Sequence, residues 1–314
     1  MKAILKPVSR SFYLTIQFLP QPLREPVGLA YLLARATDTI ADTAIVPAAD
    51  RLRTLRDLSR VIQGELEAQA IESELRAFAS QQSDESERRL IQNLRSCLEW
   101  LARLGPDDRA NIQQVMGTIV KGQTLDVQRF ADKSTVTSLQ TAAELDEYTY
   151  LVAGCVGEFW TKLGFRRLPP FSIRSRDEMA TLGVSYGKGL QLINVLRDRN
   201  ADLRNRRDYL PANELTSEPL EKVFCRWLDK AEKEISAGID YCELLTNWRV
   251  RYATALPALI GARTIALLRH AGPSAERAKV SRNTVRQILL HGLTASLRPR
   301  ALRPLFDRLR TYTR

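Results

Sequence analysis

Histidine is almost missing from this chain: His270 and His291 are the two in 314 residues. Neither forms a spaced ligand set with a cysteine or with the other, which disfavours an imidazole-based zinc site. Cysteine is scarce as well. Cys97, Cys155, Cys225 and Cys242 lie far apart with no CxxC pair, which argues against a disulfide framework and a zinc ribbon and points to a reducing, cytoplasmic setting. Long apolar runs are also lacking. The longest, residues 252–262, contains Thr254 and Pro257, whereas a membrane-spanning helix needs about 18 or more residues. Residues 1–10 (MKAILKPVSR) reach Pro7 and Arg10 before a signal-peptide core can form, so export is not expected.

With 44% hydrophobic and 26% charged residues, the chain is a folded globular protein rather than a disordered one. Its 47 Lys and Arg against 36 Asp and Glu leave a net charge of +11. That suits nucleic acid, anionic lipid or a phosphorylated small molecule equally well. No helix-turn-helix signature, zinc finger or basic-aromatic stripe favours nucleic acid. Hydrophobic periodicity is helical almost throughout, and no alternating run reads as a strand. The spacing predicts helices at about 22–43, 50–66, 84–104, 108–125, 139–165, 175–204, 220–247, 251–270 and 280–310, with an exposed loop at 127–138. The fold class is therefore all-α. With no 20–50-residue repeat and no linker of domain length, one domain over 1–314 is the simplest organisation.

Two helix faces carry the chemistry. Tyr31, Arg35, Asp38 and Asp42 are spaced 4, 3 and 4, which places them on one narrow stripe at about 100° per residue. Gln191, Asn194, Asp198 and Asp202, spaced 3, 4 and 4, form a second stripe of the same kind. Two carboxylates about 6 Å apart repel by roughly 3 kcal/mol at an effective dielectric near 20, so a shielded pair calls for cations. Oxygen-only stripes suit Mg²⁺, which is typically held by one or two carboxylates together with substrate phosphates. Arg35, Arg197, Arg204, Arg206 and Arg207 flank the aspartates, as a site for both Mg²⁺ and a diphosphate requires.

These residues resemble those of the squalene and phytoene synthases, which join two prenyl diphosphates head to head. Ser9-Arg10-Ser11-Phe12 is similar to that family's SRSF start, and Arg35-Ala-Thr-Asp38-Thr-Ile-Ala-Asp42 to its first aspartate motif. Tyr148-Thr-Tyr-Leu-Val-Ala-Gly154-Cys-Val-Gly157 resembles its YxxxVAGxVG helix. Gly189 to Asp202 (GLQLINVLRDRNAD) resembles its second aspartate motif, with Arg207-Asp-Tyr209-Leu-Pro211 following. The resemblance implies a helical isoprenoid-synthase fold around a central cavity, with the two motifs on opposite walls. It implies Mg²⁺ on Asp38, Asp42, Asn194, Asp198 and Asp202. Ser9, Arg10, Ser11, Phe12, Tyr31, Arg35, Gln191, Asn194, Arg197 and Arg207 would bind farnesyl diphosphate, and Tyr148 would act in catalysis with the four aspartates.

Thr39 gives the first motif the DTxxD form of squalene synthases, and Lys279-Val-Ser-Arg282 resembles the segment where those enzymes hold NADPH. The implied reaction is condensation to presqualene diphosphate and NADPH-dependent reduction to squalene, on the route to sterols or hopanoids. The alternatives are an enzyme that stops at presqualene diphosphate, or a phytoene or dehydrosqualene synthase that uses no reductant. No GxGxxG fingerprint is present, so NADPH would rely on Arg10, Arg197, Lys279 and Arg282. Ala41 and Ala201 depart from the family in standing where acidic residues are common beside the motif aspartates. The tail, residues 296–314, carries six Arg against one Asp and reads as a basic amphipathic surface for anionic lipid. A monomer is expected.

Overall fold

The computed structural model describes residues 5, 7–8, 11–132, 134–274, 278–298 and 300–311, with the backbone alone for 11–14. Two compact units, residues 1–131 and 132–314, divide the chain.

The first unit contains α1 (Ser11–Phe18), α2 (Gln21–Asp42), α3 (Ala48–Gln63), a 3-10 turn (Ala68–Ile71), α4 (Glu72–Ser80), α5 (Glu85–Gln92), α6 (Leu94–Arg103) and α7 (Pro106–Arg129). Pro20 and Pro22 set the start of α2, where a missing N–H costs nothing because the first turn has no internal acceptor for it. Leu29, Leu32, Leu33, Ala36 and Ile40 are fully buried at helical spacing, and α2 packs against α3 and α7. Each such leucine contributes about 1.5–3 kcal/mol by leaving water. The apolar stripe orients the helix, so Tyr31, Arg35 and Asp38 fall on the half-exposed side and Asp42 on the exposed end. The helix expected over 84–104 is broken at Asn93. Its side-chain amide donates to the Arg89 carbonyl at 2.8 Å, local bonding of the kind that competes with helix continuation.

The second unit contains β1 (Thr137–Ser138), α8 (Ala142–Thr149), a π-helical turn (Tyr150–Gly154), α9 (Cys155–Arg167), α10 (Arg176–Arg204), β2 (Arg207–Asp208), α11 (Ala212–Ser217), α12 (Leu220–Leu244), α13 (Trp248–Ala271), α14 (Arg282–Ser296) and α15 (Leu302–Arg310). The paired two-residue strands run parallel, Thr137 opposite Arg207, within segments expected to be irregular. The expected 139–165 helix is interrupted by the π turn, a widening that recurs at functional sites. Beyond it α9 lies close against α10. A Cβ on Gly157 would stand 2.0 Å from the Gly183 carbonyl oxygen, so only glycine permits that approach.

The expected 280–310 helix divides into α14 and α15. Leu302, Leu305 and Phe306 of α15 are buried, Arg303 pairs with Asp240, and Arg310 with Glu232 and Asp307. The tail thus turns its apolar face and much of its charge onto its own unit.

One buried carboxyl of this unit, Glu234, has a measurable consequence. Asp146 bridges Lys188 at 2.5 Å and Lys230 at 2.8 Å, while one Glu234 carboxylate oxygen is buried without a hydrogen-bond partner. Burial, opposed by Lys230 and Lys188, pushes the Glu234 carboxyl up to about 7. The folded state therefore holds a proton that the unfolded state has released, and stability falls as pH rises from about 4.5 to 7. Glu234→Gln is expected to raise stability at pH 8 by about 1–3 kcal/mol and to lose that advantage below about pH 4.5. Urea melts at the two pH values check it, and an equal effect at both would refute the assignment.

Candidate active site

In the first unit α2 presents its stripe already paired. Arg35 Nη1 donates to Asp38 Oδ2 at 2.6 Å, and Nη2 donates to Glu87 on α5. Burial alone would lower the Arg35 pKa, but the charges of Asp38 and Glu87 hold it above its ordinary value. Burial, and then the neighbouring Asp42 charge, push the Asp38 carboxyl up to about 7. An aspartate so placed gains from a metal ion, which offsets both the desolvation and the repulsion. The Tyr31 hydroxyl donates to the Val8 carbonyl at 3.2 Å, fixing the polar end of that ring. Glu87 was not expected from the sequence. It stands in a charged run, Glu85-Ser-Glu-Arg-Arg89, where nothing in the sequence marks one glutamate as the partner of Arg35.

In the second unit α10 brings Gln191, Asn194, Arg197, Asp198 and Asp202 onto one helix. Arg197 grips Asp198 through two parallel contacts, Nε to Oδ1 at 3.0 Å and Nη2 to Oδ2. Gln191 Nε2 donates to the Tyr148 hydroxyl at 3.3 Å, and Asn194 Nδ2 donates to Gln191 Oε1 at 3.3 Å. The Tyr148 ring stacks on Tyr209 with centroids 4.8 Å apart. The sequence placed Tyr148 and Gln191 in separate motifs, and the structure joins them.

Beneath this surface lies a pair the sequence did not single out. Arg199 Nε and Nη2 donate to the two Asp208 oxygens at 3.1 and 2.6 Å, with side chains only 10% and 4% exposed. Asp208 also accepts from the Leu210 N–H at 3.1 Å. This bidentate pair ties the end of α10 to β2, and so fixes where Arg207 and Tyr209 stand on either side of Asp208. Its signal was the Arg-Asp-Tyr-Leu-Pro exit, in which the aspartate was read only as part of a motif.

Arg204 and Arg206 are exposed, and Arg207 is half-buried in β2. Lys279 and Arg282 are exposed around Ser281, whose side chain caps α14 by accepting from the Thr284 N–H. Ser9 and Arg10 lie outside the described residues; Ser11 and Phe12 are placed in α1 by their backbone alone. Among the described residues no three His, Cys, Asp or Glu side chains form a ready-made metal cluster. Each stripe instead offers two aspartates, a donor set that fits Mg²⁺ when substrate phosphates complete the coordination.

A family model described as squalene/phytoene synthase matches residues 5–284. The chain belongs to that family. Among the relatives of the squalene/phytoene synthase chain are the squalene synthase of Schizosaccharomyces pombe, 28% identical over 211 residues, and squalene synthase BSS of Botryococcus braunii, 30% identical over 207. The alignments cover 66% and 64% of this chain but 43% and 39% of those proteins, so the chain spans about four-tenths of the relatives' length. Similar solved structures include TcSQS with the ligand BPH1237, at a TM-score of 0.76 and 21% identity, covering 98% of this chain and 88% of that one. A dehydrosqualene synthase in complex with a ligand matches at 0.64 and 22% identity, covering 93% and 94%. The all-α isoprenoid-synthase fold expected from the sequence is the fold of these neighbours.

Proposed function

We propose that the chain is a squalene synthase, which condenses two farnesyl diphosphates head to head to presqualene diphosphate and reduces that product to squalene. The observation that carries the reading is that both aspartate stripes are held by arginines of their own helices, Arg35 on Asp38 and Arg197 on Asp198. Bound at these aspartates, Mg²⁺ would neutralise the departing diphosphate. With a cation on the aspartate, the arginine would be free to donate to diphosphate oxygens, for which its planar fork is suited. Asp42 and Asp202 extend each stripe by one turn, and Asn194 adds a neutral oxygen ligand.

In the first half-reaction the C–O bond of one substrate breaks, diphosphate leaves with the electron pair, and the allylic carbocation is attacked by the alkene of the second. A proton must then be lost for the cyclopropane to close. The Tyr148 hydroxyl, set by Gln191 and by stacking on Tyr209, is the group assigned to that proton. Tyr148→Phe keeps the ring stack and removes the oxygen, and is expected to lower kcat by about 10²–10³-fold with little change in KM. Normal turnover in that variant would leave the hydroxyl a packing role.

For the second half-reaction NADPH would supply hydride. The exposed cations Lys279 and Arg282 would meet its phosphates, and the DTxxD form of the first motif supports this product choice. The test is to incubate the protein with farnesyl diphosphate and Mg²⁺, with and without NADPH, and identify extracted lipids by mass spectrometry. Squalene only with NADPH supports the reading. Presqualene diphosphate under both conditions confines the enzyme to the first step, and dehydrosqualene without NADPH overturns the reductive step.

A further inference from the structure

Three neighbouring segments of the second unit each end in the same pair of residues: an exposed large apolar side chain followed by arginine. They are Ile173-Arg174, Trp248-Arg249 and Leu297-Arg298, with the apolar members 72%, 39% and 56% exposed. The other exposed large apolar side chains among the described residues, Ile45, Val136, Val156 and Leu290, are none of them followed by arginine.

The three segments share one end of the unit because the backbone joins them there. The Ile173 N–H donates to the Leu244 carbonyl at 3.1 Å. The buried Arg251 guanidinium donates to the Leu245 carbonyl at 2.5 Å and to the Ser296 carbonyl at 2.9 Å. Asn247 caps α13 by accepting from the Arg249 and Val250 N–H groups, which fixes Trp248 at the helix start. The apolar tips are therefore held outward by ordered structure.

We propose that this end of the second unit docks on an anionic lipid bilayer. Isolated exposed apolar residues are ordinary, but several gathered at one place and rimmed by polar groups mark an interaction surface. Its chemistry selects the occupant. Tryptophan favours the bilayer interface, and the exposed Arg174 and Arg298 can reach headgroup phosphates while their stems stay among the apolar tips. Arg176 and Arg300 add exposed positive charge at the same end, against Asp177, Glu178 and the half-buried Glu243. Glu178 accepts from the Ser175 N–H and lies 3.9 Å from the Arg174 guanidinium, and Glu243 accepts from the Arg303 N–H.

The site described above lies at the other end of α10. Asp198 is 22 residues from Arg176, about 33 Å along the helix, so docking leaves the diphosphate stripe in water. The proposal rests on the prenyl-lipid reading only in that a membrane is where such a product must go. The tail α15 is not the contact, since its apolar face is buried in the fold.

The test is partition of the purified protein onto sedimenting vesicles of phosphatidylcholine alone, and of two parts phosphatidylcholine to one part phosphatidylglycerol. The wild-type chain should sediment with the anionic vesicles, prefer them over the neutral ones, and release as salt is added. Arg174→Glu with Arg298→Glu should lower the partition by about thirtyfold or more. Ile173→Ser with Trp248→Ser should lower it by about tenfold or more. Absence of wild-type binding, or undiminished binding by both variants, overturns the proposal. So does a lipid-free dimer, seen by light scattering, that both variants convert to monomer, because that gives the surface to a second copy. Turnover of farnesyl diphosphate in detergent should persist in all variants. Failure of the wild-type chain to turn over would count against the squalene synthase reading and leave the vesicle result unchanged.

Discussion

Asp38→Asn is expected to lower turnover by at least about 10²–10³-fold while leaving the circular-dichroism spectrum and melting temperature close to wild type. The substitution keeps shape and hydrogen-bonding capacity but removes the charge that a hard cation needs. Folding does not depend on that charge. Burial and the Asp42 charge push the Asp38 carboxyl up to about 7, so the ionised form is disfavoured in the metal-free fold and neutralising it relieves repulsion. Loss of turnover with undiminished stability is the signature of a functional carboxylate, and a loss of both would make Asp38 structural. The decisive measurement is steady-state rate at saturating Mg²⁺ beside a thermal melt on the same sample. Wild-type rate in that sample would remove Asp38 from the metal set.

Arg199→Ala should instead act through the fold. Asp208 is buried and ionically held by Arg199, and removing one member of a buried pair leaves an uncompensated charge that costs about 3–5 kcal/mol. The melting temperature should fall by several degrees. Asp208→Asn together with Arg199→Met replaces both charges and should recover much of that loss, since neutralising both partners avoids stranding either. A double variant as unstable as the single would mean that the pair is not the source of the cost. Because β2 also places Arg207 and Tyr209, the single variant should lose activity through misplacement of Tyr148's stacking partner.

Most of this architecture was legible because the motifs lie on long helices whose apolar spacing fixes which face is buried. Leu29, Leu32, Leu33, Ala36 and Ile40 orient α2, and with it Arg35, Asp38 and Asp42. The second stripe followed from the same arithmetic on α10. What the sequence hid were contacts between elements. Glu87 meets Arg35 from a different helix, and Tyr209 stacks on Tyr148 from beyond β2, pairings that no local periodicity encodes. The π turn at Tyr150–Gly154 was read as ordinary helix because its residues keep a helical pattern. The broken helix at Asn93 was missed for the same reason, a single side chain outweighing the periodicity around it.

Mg²⁺-dependent condensation of two prenyl diphosphates, followed by reduction, is tested by the ratio of diphosphate released to farnesyl diphosphate consumed. With Mg²⁺ and no NADPH the proposal predicts one diphosphate for every two substrates, rising to one for each when NADPH is supplied, and none with excess chelator. A ratio of one for each substrate without NADPH, or release that survives the chelator, would contradict it.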